Sequence, residues 1–474
     1  MLSIKKMGFL RDPKWCEMDI KEFVAKVKSG EINVVEYTEK VLEDIEQINS
    51  NYNYFSVITK ELALEQAKKV NRSKTGKLAG VPISIKDCIC VKGVESSASS
   101  DILKGYKPVF NATVVKKLID EGAIIVGKTV QDEFGFGGFS MNVGNSFKVP
   151  YNPFDIVRSC GGSSGGSGGI TQKSRYLHVS IGESTGGSIA CPASFCGVYG
   201  FTPSYGVVSR YGLMDYGSSL DKIGPMAKSL DDCKKVFDVI KGHDIKDSTS
   251  LDFRENEGEV KKVAIIKESF NVNPKIKDIV INKIQALGYE YEEVSLPVVD
   301  KYALASYSLI AMSEASTNLA KYCGLRYGYQ PEMKEMYNDY FSKVRSETIT
   351  DEAKRRIILG TFARMAGYRD AYYLKALKVR TLIINEYRQK FKEYDILLSP
   401  TMPILPPALD EVKYLEPLEL YKMDQLTIGV NLAGLPHISL NAGFVDGLPV
   451  GLMLIGDQLK DNNIFKALEG IDGS

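Results

Sequence analysis

The chain has 474 residues, 44% of them hydrophobic and 25% charged, the balance of a globular protein able to bury one very large core or several ordinary ones. Lys and Arg number 60 against 59 Asp and Glu, a formal net charge of +1, which excludes a global field for gathering nucleic acid and leaves only local basic patches. No apolar run approaches a bilayer span and no h-region follows Met1-Leu2-Ser3-Ile4-Lys5-Lys6, so a cytoplasmic protein with no membrane association is expected.

In chain order, residues 18–70 read as two helices. Asn33 and Glu36 resemble a capping box, followed by an apolar stripe of Val34, Val35, Tyr37, Val41, Leu42, Ile45 and Ile48. Residues 80–87 read as a buried strand ending in charge, 112–121 as a helix and 123–126 as a strand. The run Gly122-Ala-Ile-Ile-Val-Gly127-Lys128-Thr129 matches a phosphate-loop pattern literally. Such a loop must curl so that its amides cradle phosphate, whereas Ala-Ile-Ile-Val has the character of a buried strand, so the match is set aside. Residues 197–224, rich in Gly, Tyr and Ser, read as strands and turns, and Leu230–Ile240 as a helix. The polar stretch 242–259 reads as a surface connection or the boundary of an inserted lobe. Val263–Ile266 is a strand, and 301–322 and 352–393 are long helical runs. Ile396–Pro400, 437–444 and 450–455 are late core strands. This alternation predicts an α/β protein with a mixed, largely internal sheet.

Residues 158–192 stand apart, with the clusters Gly161-Gly162-Ser163-Ser164-Gly165-Gly166-Ser167 and Thr185-Gly186-Gly187-Ser188. A flexible linker would be polar throughout. Here the β-prone run Tyr176-Leu177-His178-Val179-Ser180-Ile181 separates the clusters, and apolar Ile189-Ala190-Cys191-Pro192 follows the second. The pattern points to backbone brought close to a ligand, where glycine lets successive N–H groups converge.

Ser188 in this setting is a candidate nucleophile, with the backbone N–H groups of Thr185, Gly186 and Gly187 facing a developing oxyanion. Its hydroxyl needs a base. His178 sits on the apolar run and reads as a packed residue. A buried lysine can serve where burial disfavours the ammonium, and Lys86, behind Val81-Pro82-Ile83-Ser84-Ile85, is the candidate, although most lysines at strand ends reach solvent. Ser163 or Ser164 could relay the proton. The eight cysteines and three histidines lack metal-ligand spacing, so free buried thiols and no metal site are expected.

Gly-Val-Pro-Ile-Ser-Ile-Lys86-Asp87, the cluster at 161–167 and Ser184-Thr185-Gly186-Gly187-Ser188-Ile189-Ala190-Cys191-Pro192 together resemble, in order, the motifs of the amidase signature family, a likeness that runs from about residue 18 to the C-terminus. The resemblance implies an α/β/α sandwich around a mixed central sheet. It implies one domain over 1–474, with an N-terminal helical segment at about 18–70 and an inserted helical lobe at about 242–393. It also implies a Ser–cis-Ser–Lys triad: Ser188 attacks an amide carbonyl, Ser163, held by a cis peptide, relays the proton, and Lys86 is the base. There are two departures: the stretch has Ser184 and Ala190 where the family's usual G-T-D-T-G-G-S-I-R has its aspartate and arginine, and the interval from Ser163 to Ser188 is one residue longer than usual. A lost ion pair that takes both partners leaves no orphan charge.

Further motifs resemble one branch of that family, the A subunits of Glu-tRNA(Gln)/Asp-tRNA(Asn) amidotransferases. They are Gly127-Lys128-Thr129-Val130-Gln131-Asp132-Glu133-Phe134-Gly135, Lys354-Arg355-Arg356-Ile357-Ile358-Leu359-Gly360-Thr361-Phe362 and Val430-Asn431-Leu432-Ala433-Gly434-Leu435-Pro436, with runs at 313–319 and 367–373. The likeness implies a glutaminase that passes ammonia to a partner. A free amino acid needs one fixed cation and one fixed anion. By motif position these are Arg356 for the carboxylate and Asp424 for the ammonium, with a hydroxyl from Tyr307. From the residues alone, Arg356 beside Lys354 and Arg355 reads as a solvated helix face. The likeness further implies B and C partner subunits, ATP and magnesium on B, tRNA bound mainly through B, and no cofactor in this chain. The alternatives are a freestanding amidase with the same triad and a phosphate-binding scaffold that uses its glycine loops without chemistry.

Overall fold

In a computed structural model the described residues are 18–252 and 258–469; the stretch 1–6 considered above and one of the eight cysteines, Cys16, lie outside them. One mixed sheet of eleven strands runs through the molecule. The strands are β1 (Phe55–Ile58), β2 (Pro82–Lys86), β3 (Ile124–Thr129), β4 (Val179–Ser184), β5 (Tyr199–Thr202), β6 (Lys222–Ala227), β7 (Val263–Ile266), β8 (Tyr291–Val294), β9 (Ile396–Pro400), β10 (His437–Val445) and β11 (Leu448–Gly456). Their order is β1-β3-β2-β4-β6-β5-β10-β11-β9-β7-β8. β2 is parallel to β3 and β4, and β7 to β8 and β9, while the remaining neighbours are antiparallel. Every residue of β2, β3, β4, β6, β9 and β11 is buried, as near-continuous Val/Ile/Leu runs require when helices cover both faces.

The N-terminal segment differs from the sequence expectation. It holds three helices, Ile20–Ser29, Val34–Tyr52 and Lys60–Ser73, with β1 between the last two. Gly30 and Asn53 close the first two helices in the left-handed region, at φ 83° and 60°. Asn33 caps the second helix, its side chain accepting from the amides of Val35 and Glu36, but the Glu36 carboxylate accepts from the Asn33 side-chain amide and not from its backbone, so the expected capping box is only half formed. The stretch 242–393 is not wholly helical, because β7 and β8 lie within it and join the sheet edge.

The phosphate-loop match is a strand. β3 runs through Gly127-Lys128-Thr129, and the buried Lys128 ammonium donates to Asp87 O, Ile89 O and Ser96 Oγ. Among the described residues six cysteines are buried and free, Cys323 is partly buried, no group of His, Cys, Asp and Glu could hold a metal, and no helix is long and apolar enough to cross a membrane.

Two short helices carry the glycine-serine region. Gly165–Lys173 follows the first cluster and Ala190–Cys196 the second; they pack on each other and against β4, β10 and β11. The cluster is therefore a buried helix start and not a linker. Behind it, Pro297–Asn318 packs against Asp351–Arg364, Lys375–Lys390 and Gln425–Leu432, which brings residues remote in sequence to the same end of the sheet.

Candidate active site

β2 and β4 are parallel neighbours, with Ile85 opposite Ile181, so their C-terminal ends deliver Lys86 and the 182–188 turn to the same place. Lys86 is fully buried. Its Nζ donates to Ser163 Oγ at 2.7 Å, to the Glu183 carbonyl at 2.9 Å and to Glu183 Oε2 at 2.9 Å. The Gly162–Ser163 peptide bond is cis. The surrounding loop is pinned by Asp132 and Ser140. The Asp132 amide donates to Ser163 O at 3.2 Å, and the Ser140 hydroxyl donates to Gly161 O at 2.9 Å and accepts from the Gly165 amide at 3.0 Å. The Ser164 amide donates to Ser188 O at 3.2 Å, which ties the second cluster to the first. Ser188 is 6% exposed.

The Gly186-Gly187 pair is flanked closely. A Cβ at Gly186 would meet Tyr307 Oη at 2.9 Å, and one at Gly187 would meet Thr427 Oγ1 at 2.5 Å and Asp424 Oδ1 at 3.0 Å. Only glycine lets this turn sit against those side chains. Tyr307 and Asp424 thus border the loop that carries Ser188, and Tyr307, Asp424 and Arg356 line one pocket together with Tyr216 and Tyr421. An adjoining cleft of about 270 Å³ is lined by Asp132, Glu352, Arg356, Tyr421 and Asp424.

Arg356 is not a solvated residue: it is 7% exposed. Its Nε donates to Glu352 Oε1 at 2.7 Å and its Nη1 to the Tyr216 hydroxyl at 2.7 Å, while the guanidinium lies 5.0 Å from the Tyr421 ring centroid. Arg355 takes the outward role, pairing with the other Glu352 oxygen. Five donors in a guanidinium leave Arg356 N–H groups for a substrate carboxylate. Asp424 Oδ1 is buried with no partner among the described residues. Burial pushes the Asp424 carboxyl up to about 7, with Arg356 opposing and Asp132 reinforcing the shift. Burial likewise raises Asp132 to about 7, against the amides of Asn142 and Ser140. A pocket with a fixed cation at one side and an unpaired carboxylate at the other fits an α-amino acid.

His178 is packed, as expected. Its Nε2 lies 3.0 Å from Ser84 Oγ, and burial pushes the imidazole down to about 3, so it is neutral and structural. Ser184, where the family has aspartate, donates to Gly186 O at 3.2 Å and accepts from Asn431 Nδ2 at 3.3 Å; Ala190 is fully buried. The missing ion pair is thus replaced by neutral contacts.

Sequence reasoning passed over Glu183. Its carboxylate reaches Lys86 through Oε2, and its Oε1 lies 3.0 Å from the Thr185 hydroxyl, which is also 2.8 Å from Asp221 Oδ1. One hydroxyl proton cannot serve two carboxylates at once. Burial, then the neighbouring Glu183, push the Asp221 carboxyl well above its ordinary value. The signal in the sequence was a lone acid closing the otherwise uncharged strand β4.

A family model described as Amidase matches residues 36–465, and the chain belongs to the amidase family. Its sequence is 47% identical over 454 residues to the A subunit of glutamyl-tRNA(Gln) amidotransferase from Archaeoglobus fulgidus, covering 94% of this chain and 97% of that protein. It is 44% identical over 467 residues to the protein of the same name from Methanosarcina mazei, covering 96% and 95%. The crystal structure of the A subunit of glutamyl-tRNA(Gln) amidotransferase from Thermotoga maritima superposes with a TM-score of 0.77 at 32% identity, over 96% of each chain.

Proposed function

We propose that this chain is the glutamine-hydrolysing A subunit of a tRNA-dependent amidotransferase, with Ser188 as nucleophile, Ser163 as relay and Lys86 as base. The observation that carries the chemistry is the buried 2.7 Å contact between Lys86 Nζ and Ser163 Oγ. The identity of 42–47% to proteins of that name supports the choice of amide.

Glutamine enters the cleft with its ammonium on Asp424, its carboxylate on Arg356 and a hydroxyl contact from Tyr307. Ser188 Oγ attacks the side-chain carbonyl while its proton passes to Ser163 and on toward Lys86. The oxyanion rests on amides of Thr185, Gly186 and Gly187, and loss of one such donor typically costs on the order of 10²–10³ in rate. The proton returns to the leaving nitrogen, ammonia departs, and water clears the glutamyl ester by the same groups in reverse.

In this reading the chain works in the cytoplasm with B and C partner subunits. ATP, magnesium and most of the tRNA contact belong to B, which uses the ammonia to amidate Glu-tRNA(Gln), Asp-tRNA(Asn) or both. The test mixes the chain with its B and C partners, Glu-tRNA and Asp-tRNA, and measures transamidation with glutamine before and after Ser188→Ala. Glutamine-dependent product lost in the variant, and retained when ammonium salt replaces glutamine, supports the reading. Amide hydrolysis with no partner association would instead make the chain a freestanding amidase.

A further inference from the structure

Lys86 as observed is poorly disposed to accept a proton. An ammonium carries three N–H donors, and its three contacts are Ser163 Oγ, Glu183 O and Glu183 Oε2. With the Lys86–Glu183 pair ionised, each donor is committed and no lone pair faces Ser163. The pair with Glu183 is also dry, the side chains being 0% and 4% exposed. Releasing a proton from Lys86 to solvent would leave the buried Glu183 carboxylate without its counter-charge, an unfavourable arrangement. Moving that proton across the 2.9 Å contact onto Glu183 Oε2 instead leaves both groups neutral and still hydrogen-bonded.

We propose that Glu183 is the terminal proton acceptor of the acylation step, with Lys86 relaying to it the proton that Ser163 hands over. The proposal rests on the Ser188–Ser163–Lys86 reading above. As Ser188 Oγ bonds to the carbonyl carbon, the carbonyl π pair moves to oxygen and the Ser188 proton goes to Ser163 Oγ. The Ser163 proton goes to Lys86 Nζ, and a Lys86 proton goes to Glu183 Oε2. The lysine–glutamate pair gains one positive charge as the oxyanion gains one negative charge. On collapse the C–N bond breaks, the same protons run back, and ammonia leaves with the one that began on Ser188.

The groups around the pair are placed to keep the exchange internal. Thr185 Oγ1 holds Glu183 Oε1 from the turn, and behind it the Asp221 carboxyl is pushed well up by burial and then by Glu183. Burial pushes the Cys88 thiol up and raises Asp132 to about 7. Arg210, acting on Asp221, and Arg356, acting on Asp132, keep fixed charges. The Glu183 carboxylate and the Tyr216 ring both border Gly135, and burial raises the Tyr216 hydroxyl.

The test compares the pH dependence of kcat for glutamine hydrolysis by the assembled complex with wild-type chain and with Glu183→Gln. Without Glu183, Lys86 must lose its proton to solvent before it can accept one, so the acid limb of kcat moves to higher pH by roughly one unit or more. A limb that moves to lower pH overturns the proposal, because it shows lysine acting alone with the carboxylate merely stabilising its ammonium. A uniform drop with an unmoved limb overturns it too, showing a structural role. If the glutamine variant does not fold, Glu183→Ala takes its place with added formate: formate-dependent recovery supports the proposal, and none in folded protein overturns it. Ser188→Ala in the same assay separates the two levels, since residual hydrolysis there refutes the nucleophile and not the role of Glu183.

Discussion

Asp424→Asn keeps the shape of the side chain and removes its charge, which isolates the anion assigned to the glutamine ammonium. The carboxylate borders the nucleophile loop, 3.0 Å from where a Cβ on Gly187 would lie, and its Oδ1 has no partner among the described residues. An incoming ammonium therefore supplies a missing hydrogen bond and displaces no existing one. A hydrogen bond to a charged group contributes about 1.5–3 kcal/mol, so the variant should lose roughly 10- to 150-fold in kcat/KM for glutamine, mostly through KM. The pH dependence has a definite sign. Burial holds the Asp424 carboxyl up to about 7; below that it is neutral and offers the ammonium no counter-charge, and above it the carboxylate is present. Wild-type kcat/KM, which reports the free enzyme, should therefore rise as pH passes through about 7. In the asparagine variant that step is lost. Ammonia release at varied glutamine concentration across this range is the assay. An unchanged KM for glutamine in Asp424→Asn would refute the assignment.

Ser163→Ala removes the hydroxyl that Lys86 holds at 2.7 Å; kcat should fall about 10²–10⁴-fold with the fold intact by circular dichroism. Gly360→Ala would drive a methyl into the carbonyl of Met312 on the helix Pro297–Asn318. Spreading those helices should lower stability by roughly 1–3 kcal/mol in urea unfolding and raise the KM for glutamine, since the helix that holds Gly360 also carries Arg356. Lys222 is buried, and burial depresses its ammonium to about 7 from the ordinary 10.5. The unfolded chain then binds the extra proton between those values, so stability should rise with pH from about 7 to about 10.5. Lys222→Met should show a shallower rise in urea unfolding over the same window.

Local spacing made the reactive core of this chain legible. Glycines flanking Ser163 and Ser188, and a lysine closing a strand of apolar residues, follow from backbone requirements that act within a few residues. The strands from 263 to 266 and from 396 to 400 were readable for the same reason: continuous apolar runs bounded by polar residues have few other ways to bury themselves. The N-terminal helix count was misread because left-handed closure at Asn53 carries no glycine.

Arg356 shows the limit most clearly. Its neighbours in sequence are basic, and only the packing of Asp351–Arg364 against Pro297–Asn318 turns it inward onto Glu352 and Tyr216. By itself the sequence determined the composition of the reactive loops, the family likeness and the strand that kills the phosphate-loop match. The tertiary structure alone decided that Glu183 faces Lys86, that Asp424 lies against Gly187 and that Arg356 is buried. Those contacts join segments dozens to hundreds of residues apart, and sheet register and helix packing, which fix them, leave no trace in the spacing of the residues they bring together.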